Sequence, residues 1–134
     1  MQGYPMSNGK IIDAIHDAMR AHGIWKMRLI TAIETQRHNH VVADVRCDHK
    51  CEFGHWLHGP DIDAAMKNGK PYQVIRRLHA EFHDCAADAL ECVQSGEIEK
   101  AKTILDGEFR FRSEKLVMAL NKWKRELTEH SRAA

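Results

Sequence analysis

The chain has 134 residues, of which 43% are apolar and 29% charged, and its formal net charge at pH 7 is +1. With only three prolines and eight glycines, this balance excludes a disordered tail and predicts a folded, helix-rich protein with one core. Basic and acidic residues are interspersed along the chain, so we do not expect the continuous basic surface of a nucleic-acid-binding protein. We expect a single domain over residues 1–134, with its core at about residues 8–128.

The N-terminal segment lacks the apolar stretch of a secretory signal peptide, and no apolar run approaches the roughly 20 residues of a membrane span. We therefore expect a cytoplasmic protein without membrane insertion. Its four cysteines would then lie in a reducing compartment, where thiols are more often buried, catalytic or metal-bound than paired in disulfides. Ten histidines in so short a chain are a first, weak indication of a metal site.

Residues 7 to about 36 are predicted to form the first long helix. Apolar residues recur there at steps of three and four, which is the spacing of one helical face. They are Ile12, Ile15, Met19, Leu29 and Ile33. Residues from 37 to about 70 break this pattern and are interpreted as a connector, with helical turns at 53–57 and 61–66.

Two further long helices are predicted after the connector. Pro71 lies in the first turn of one, where its missing N–H costs no hydrogen bond, and this helix extends to about residue 94. A Ser-Gly pair ends it, and the next helix extends from Glu97 to about residue 128 with a regular apolar face. The sequence has no strand pattern, so we predict an all-α, up-and-down helical bundle of the four-helix-bundle type with three long helices.

Two histidines of the second long helix point to a metal site. His79 and His83 are one turn apart, so their imidazoles project from the same face as the apolar Phe82 and Ala86. An unpaired imidazole in the core would cost about 1–3 kcal/mol. A backbone carbonyl or a buried carboxylate could satisfy each ring, but two rings in register favour a shared metal ion at least equally.

His22 continues the apolar face of the first helix and should also point inwards. Three inward histidines leave a tetrahedral site one ligand short, and Cys51 lies in the connector beside the amphipathic segment 52–57. A mixed His and Cys set favours zinc over calcium or magnesium, which prefer oxygen ligands. Iron is the alternative metal.

These residues form a pattern that resembles the chemoreceptor zinc-binding family. His22 is followed three residues later by Trp25, residues 51–57 are Cys-Glu-Phe-Gly-His-Trp-Leu, and residues 79–83 are His-Ala-Glu-Phe-His. The similarity extends over residues 13 to 120, approximately. It implies a four-helix-type bundle, often homodimeric, that serves as a sensory module of bacterial cytoplasmic chemoreceptors and diguanylate cyclases.

The resemblance also implies a ligand set for one zinc ion per chain. Matched residue by residue, these ligands are His22, Cys51, His79 and His83. Four protein ligands leave no open position for water or substrate, so we expect a regulatory module and not an enzyme. Ile104, Phe111 and Met118 recur every seven residues on a second face of the third helix. This pattern favours a partner helix and hence a homodimer, and a wide core face is the alternative.

The other cysteines and histidines are given no ligand role. Cys47 lies four residues before Cys51 and could compete for the metal, but the Phe-Gly-x-Trp segment follows Cys51. Cys85 and Cys92 are expected to be small buried side chains. Three histidines outside any apolar pattern are expected to be solvated: His16, His38 and His40.

Two other functions stay open at this point. A hemerythrin-like or di-iron bundle needs inward Glu-x-x-His pairs on facing helices, and Glu52 with His55 supplies only one such spacing, in the connector. A purely structural zinc would stabilise the helices without transmitting a signal. The sensory hypothesis instead expects a chemoreceptor or diguanylate cyclase-type partner to respond to zinc occupancy or to the state of the Cys51 thiolate.

Overall fold

The computed structural model describes the backbone of residues 8–133 and the side chains of residues 9–129. Its helices are α1 (Asn8–Thr35), α2 (Val42–Arg46), α3 (Glu52–Leu57), α4 (Ala64–Lys67), α5 (Lys70–Gln94), α6 (Ile98–Ile104) and α7 (Arg110–Ala133). A π-helical segment, Leu105–Phe109, joins α6 to α7, so these elements form one continuous long helix. No strand occurs in residues 8–133, and the prediction of an all-α bundle with three long helices is confirmed.

Helix α5 is the centre of the bundle and packs against α1, α2, α6 and α7. The first long helix begins within the described residues at Asn8, so the predicted start at Ser7 lies outside them. Its core face is rotated slightly from the predicted one, because Ile11 and Ala18 are buried while Ile12 and Met19 are only half-buried. In the described part of the chain, we find no helix with the length and apolar character that a membrane crossing requires.

Both ends of α5 lie where the sequence predicts them. Pro71 is in its first turn, and the Ser-Gly pair at residues 95 and 96 follows its last residue. Gly96 has a φ of +79°, a conformation that residues with a Cβ atom adopt only with strain. The N–H of Glu97 donates to the carbonyl of Cys92 at 2.8 Å, and the chain reverses there to begin α6.

The third long helix differs from the regular α-helix that the sequence predicts. The π turn at Leu105–Phe109 contains one residue more than an α turn would. Ala101 before the turn and Phe109 at its end are both buried in the core. Beyond the turn, the buried face continues with Leu116 and Leu120, in keeping with the regular apolar face that the sequence predicts.

The connector contains one helix that the sequence analysis missed and one that it misplaced. Helix α2 is held against α5 by the buried Val45 and by Arg46, whose guanidinium lies 2.9 Å from Asp88. The turn predicted at residues 61–66 is α4 at Ala64–Lys67, because the Asp63 carboxylate accepts a hydrogen bond from the Met66 N–H and caps the helix there. Helix α3 lies where it was predicted.

Candidate metal centre

The four predicted ligand side chains lie together inside the bundle. His22 comes from α1, Cys51 is the N-cap of α3, and His79 and His83 come from α5. Their ligand atoms all lie within 4.8 Å of one another. The three imidazoles are at most 5% exposed, and Cys51 is half-buried.

The spacing of these atoms suits a tetrahedral zinc ion. His79 Nε2 lies 3.1 Å from His22 Nε2, 3.1 Å from His83 Nε2 and 3.3 Å from Cys51 Sγ. Zinc bonds of about 2.0–2.1 Å to nitrogen and 2.3 Å to sulfur would place neighbouring ligand atoms about 3.3–3.6 Å apart in a tetrahedron. An expansion of a few tenths of an ångström would therefore admit the ion, and three nitrogens with one sulfur are donors that zinc accepts.

Hydrogen bonds on the far side of two rings orient them towards the centre. The Nδ1–H of His22 donates to the Ala18 carbonyl at 2.6 Å, and that of His83 donates to the Val45 carbonyl at 2.9 Å. A proton on Nδ1 leaves the lone pair on Nε2, which is the atom that faces the other ligands. Both rings are therefore held in the tautomer and direction that metal binding requires.

The third ring has a different neighbour. His79 Nδ1 is the only buried side-chain nitrogen or oxygen among the described residues that lacks a hydrogen-bond partner. The Asp48 Oδ2 atom lies 3.9 Å away, so a small rotation of either side chain would close this hydrogen bond. The sequence does not predict this position of Asp48, because the connector has no periodicity that assigns its side chains to a face. The only available signal was its position three residues before Cys51.

Burial keeps the three imidazoles neutral. Loss of solvent, together with the neighbouring His83 and His22, lowers the pKa of His79 to about 2. Burial also lowers the pKa of His22, to about 4, against a rise from the hydrogen bond to Ala18. The pKa of His83 is lowered for the same reason. Since only a neutral imidazole can bind a metal, all three rings are ready to do so at pH 7.

The Cys51 thiol is in a mixed environment. Burial raises the pKa of this thiol, while backbone N–H groups of Gly54 and Phe53 at the start of α3 lower it in part. The N–H of Gly54 donates to Cys51 Sγ at 3.2 Å. Without a metal, the sulfur is therefore a protonated thiol at pH 7, and an arriving zinc ion must displace this proton.

Helix α3 approaches the centre so closely that residue 54 must be glycine. A Cβ atom on Gly54 would lie 1.7 Å from the Asp48 carbonyl oxygen and 3.2 Å from His79 Cε1. Next to it, the Phe53 ring packs edge-on against His79, with 5.1 Å between ring centroids. The Phe-Gly sequence after Cys51 therefore seats the connector against α5.

The other predicted roles have mixed outcomes. Cys85 and Cys92 are buried, as expected, and Cys47 lies outside the group of converging ligand atoms. His16 is exposed, as expected. Glu52 and His55 are exposed, so the one Glu-x-x-His spacing in the connector does not face the core.

The expectation that His38 and His40 are solvated is wrong. Both are half-buried, because the turn after α1 folds back onto the end of α5. His38 Nε2–H donates to the Leu90 carbonyl at 3.0 Å, and its Nδ1 accepts from the His40 N–H at 3.0 Å. The His40 ring packs against Trp25 at 5.2 Å between centroids. The contacts with Leu90 and Trp25 are long-range, so no local pattern indicates them.

The sequence profile of the chemoreceptor zinc-binding domain matches residues 22–90. The matched segment is just over half of the chain and contains all four converging side chains. No curated protein and no solved structure shows significant similarity to the chain.

Proposed function

The chain belongs to the chemoreceptor zinc-binding domain family, and from this we propose that it is a zinc-binding regulatory module of bacterial signal transduction. The observation that supports this proposal best is the convergence of three imidazole Nε2 atoms and one thiol sulfur in a site from which water is largely excluded. One zinc ion per chain would be held by His22, Cys51, His79 and His83. The orientation of two rings by backbone carbonyls favours a site that exists before the metal arrives.

The proposed role is regulatory and not catalytic. Four protein ligands would complete a tetrahedral coordination sphere and leave no position for a water molecule or a substrate. Zinc would therefore act through its effect on the protein's conformation. The exposed Glu52 and His55 give no support to a di-iron centre.

We place the conformational response in the connector. The histidine ligands lie on two long helices, whereas Cys51 is the N-cap residue of the short α3. The sulfur atom that would bind zinc therefore also caps this helix. Helix α3 is otherwise attached by the buried Phe53 and Leu57 and by a hydrogen bond from the Tyr72 hydroxyl to the Leu57 carbonyl at 2.9 Å. Release of the sulfur from zinc would weaken this attachment while the long helices keep their apolar contacts.

Two events could release the sulfur. Zinc could leave when free metal is scarce, or the thiolate could be oxidised, since Cys51 is the only ligand with a donor atom that is readily oxidised in cells. With peroxide, the thiolate attacks one oxygen, a sulfenic acid forms and hydroxide leaves. A sulfenic acid is a weaker zinc ligand than a thiolate, so we propose that oxidation detaches α3.

Hydrogen exchange of peptides spanning residues 46–60 tests this proposal. Zinc-loaded protein should lose protection there after chelation, and also after mild peroxide or hypochlorous acid, while α1 and α5 stay protected. A Cys51→Ser variant at saturating zinc should be insensitive to the oxidant. Unchanged protection with the thiol confirmed as oxidised would rule out the redox version and leave zinc occupancy as the signal. Loss of protection throughout α1 and α5 on chelation would indicate a purely structural zinc.

We further propose that the chain forms a homodimer and acts on a chemoreceptor or diguanylate cyclase-type protein in the cytoplasm. Phe111 and Met118 are 49% and 69% exposed on α7, which favours a partner helix at this face. Ile104, the third residue of the same seven-residue pattern, packs against the chain's own core and would contribute less. Light scattering at micromolar concentration should give the dimer mass, and a monomer mass at all concentrations would contradict the proposal. A receptor or cyclase in the neighbouring coding sequences would identify the output.

A further inference from the structure

Three more side chains with metal-binding atoms lie in a groove at the surface beside the buried centre. Asp48, His49 and His58 bring ligand atoms within 4.8 Å of one another. His58 Nε2 lies 3.1 Å from Asp48 Oδ2, and His49 Nε2 lies 3.6 Å from Asp48 Oδ1. The two imidazole rings are stacked, with 3.8 Å between centroids and 15° between planes. Both Nε2 atoms therefore lie next to the same carboxylate.

We propose that this groove is a second divalent-metal site, open to solvent and separate from the buried zinc centre. Metal bonds of about 2.0–2.2 Å place adjacent ligand atoms about 3–3.5 Å apart, and the two histidine–aspartate separations are close to that spacing. Two imidazoles and one carboxylate are donors for Zn²⁺, Cu²⁺ or Ni²⁺. Three protein ligands would leave the remaining positions to water.

Burial fixes two of the three ligands in advance. The side chains of Asp48 and His58 are 19% and 17% exposed, whereas that of His49 is 61% exposed. The ion would therefore meet His58 and Asp48 already side by side and would replace the hydrogen bond from His58 Nε2–H to Asp48 Oδ2, while the His49 ring would turn out of its stacked position to point Nε2 at the ion. This order of assembly costs the ordering of one exposed side chain.

The opposite wall of the groove makes the site weaker than the buried one. Its volume is about 370 Å³, and α5 contributes Gln73, Arg76 and Arg77 to the lining. The two guanidinium groups are exposed and oppose the approach of a cation. We therefore expect the groove to fill only after the buried centre is saturated.

Asp48 lies between the surface groove and the buried centre. Its Oδ2 atom contacts His58 and also lies 3.9 Å from Nδ1 of His79. The inference nevertheless does not depend on zinc in the buried centre, because none of the four converging side chains there is needed as a ligand in the groove.

Titration of the metal-free full chain with Co²⁺ tests the inference, with stoichiometry from calorimetry. The first equivalent should give a thiolate-to-cobalt charge-transfer band from Cys51, and the second should bind without increasing this band. The double variant His49→Ala/His58→Ala should lose the second equivalent and keep the band. His55→Ala removes an exposed histidine of α3 that is outside the groove group, so this control should bind both equivalents.

Binding of only the equivalent that gives the charge-transfer band would overturn the inference, and so would a second equivalent that persists in the double variant. Failure of the buried centre gives a different result. In that case the charge-transfer band is missing, while the equivalent that depends on His49 and His58 still binds. A Cys51→Ser variant should reproduce this pattern.

Discussion

The buried centre and the surface groove offer similar donor atoms in opposite surroundings. Imidazoles of the centre are at most 5% exposed, and burial keeps them neutral and free of competing water. In the groove, His49 is 61% exposed and stays in contact with solvent. Burial, and not residue type alone, therefore determines whether a set of ligands is fixed before the metal arrives.

The largest effect should come from removing one buried ligand. Structural zinc sites bind with about 10–16 kcal/mol, so losing one of four ligands should cost about 2.5–4 kcal/mol, which is a hundred- to a thousandfold in affinity. We expect this loss for His79→Ala in competition with a zinc chelator. His49→Ala is the matched exposed control and should leave tight zinc binding unchanged. Equal losses in the two variants would contradict the distinction between the two sites.

The metal-free protein should be destabilised by acid through its buried histidines. The pKa values of His22 and His79 fall to about 4 and about 2 in the folded state, below 6.5 in the unfolded state. The unfolded chain therefore binds more protons below pH 6.5, and the stability present above that pH is lost as the pH falls towards 4. Each histidine contributes about 1.4 kcal/mol per pH unit in this window.

Urea unfolding of the chelated protein at several pH values between 7.5 and 5 measures this slope. Removing His79 should reduce the change of the unfolding free energy with pH by the contribution of one proton, about 1.4 kcal/mol per pH unit. An identical slope in wild type and His79→Ala would show that this ring is not held neutral by burial.

Two helical glycines provide a test of the close approach at α3. A methyl group on Gly54 would overlap the Asp48 carbonyl oxygen, so Gly54→Ala should cost about 1–3 kcal/mol and weaken zinc binding with it. Gly23 in α1 has no heavy atom within 4 Å of the same position, so Gly23→Ala should stabilise the protein by about 0.5–1 kcal/mol. Thermal unfolding with and without zinc measures both. A harmless Gly54→Ala would mean that the start of α3 does not lie against the Asp48 carbonyl.

The smallest effect should come from Asp48, which lies beside the buried centre and is not one of its four converging side chains. Replacing Asp48 by Asn removes the charge that can accept the His79 Nδ1–H, and zinc affinity should fall about tenfold. Using a His49→Ala/His58→Ala background excludes the surface groove from the measurement. Asp44→Asn removes an exposed carboxylate that pairs with Lys50 at 2.6 Å and should have no effect. An unchanged zinc affinity in Asp48→Asn would show that the charge of Asp48 beside His79 Nδ1 does not contribute to metal binding.

The sequence predicts the features that repeat along a helix. The three long helices and the inward direction of His22, His79 and His83 follow from apolar residues at three- and four-residue steps. Helix α3 also follows from its amphipathic sequence.

Features that depend on long-range contacts could not be predicted in this way. Helix α2 has only five residues and is positioned by contacts of Val45 and Arg46 with α5. The π turn inserts one extra residue into the third helix. A sequence pattern read with a regular helical period does not reveal this insertion. Asp48 can lie beside His79 because Gly54, which has no side chain, leaves room for the Asp48 backbone carbonyl.

The identity of the four zinc ligands is the central claim, and X-ray absorption at the zinc edge tests it most directly. Protein carrying only its tightly held zinc should show about three nitrogen ligands at 2.0–2.1 Å and one sulfur ligand near 2.3 Å. The sulfur contribution should disappear in Cys51→Ser and persist in Cys47→Ser. A shell of two sulfurs, or a sulfur that is lost in Cys47→Ser, would contradict the assignment of Cys51 as the single thiolate ligand.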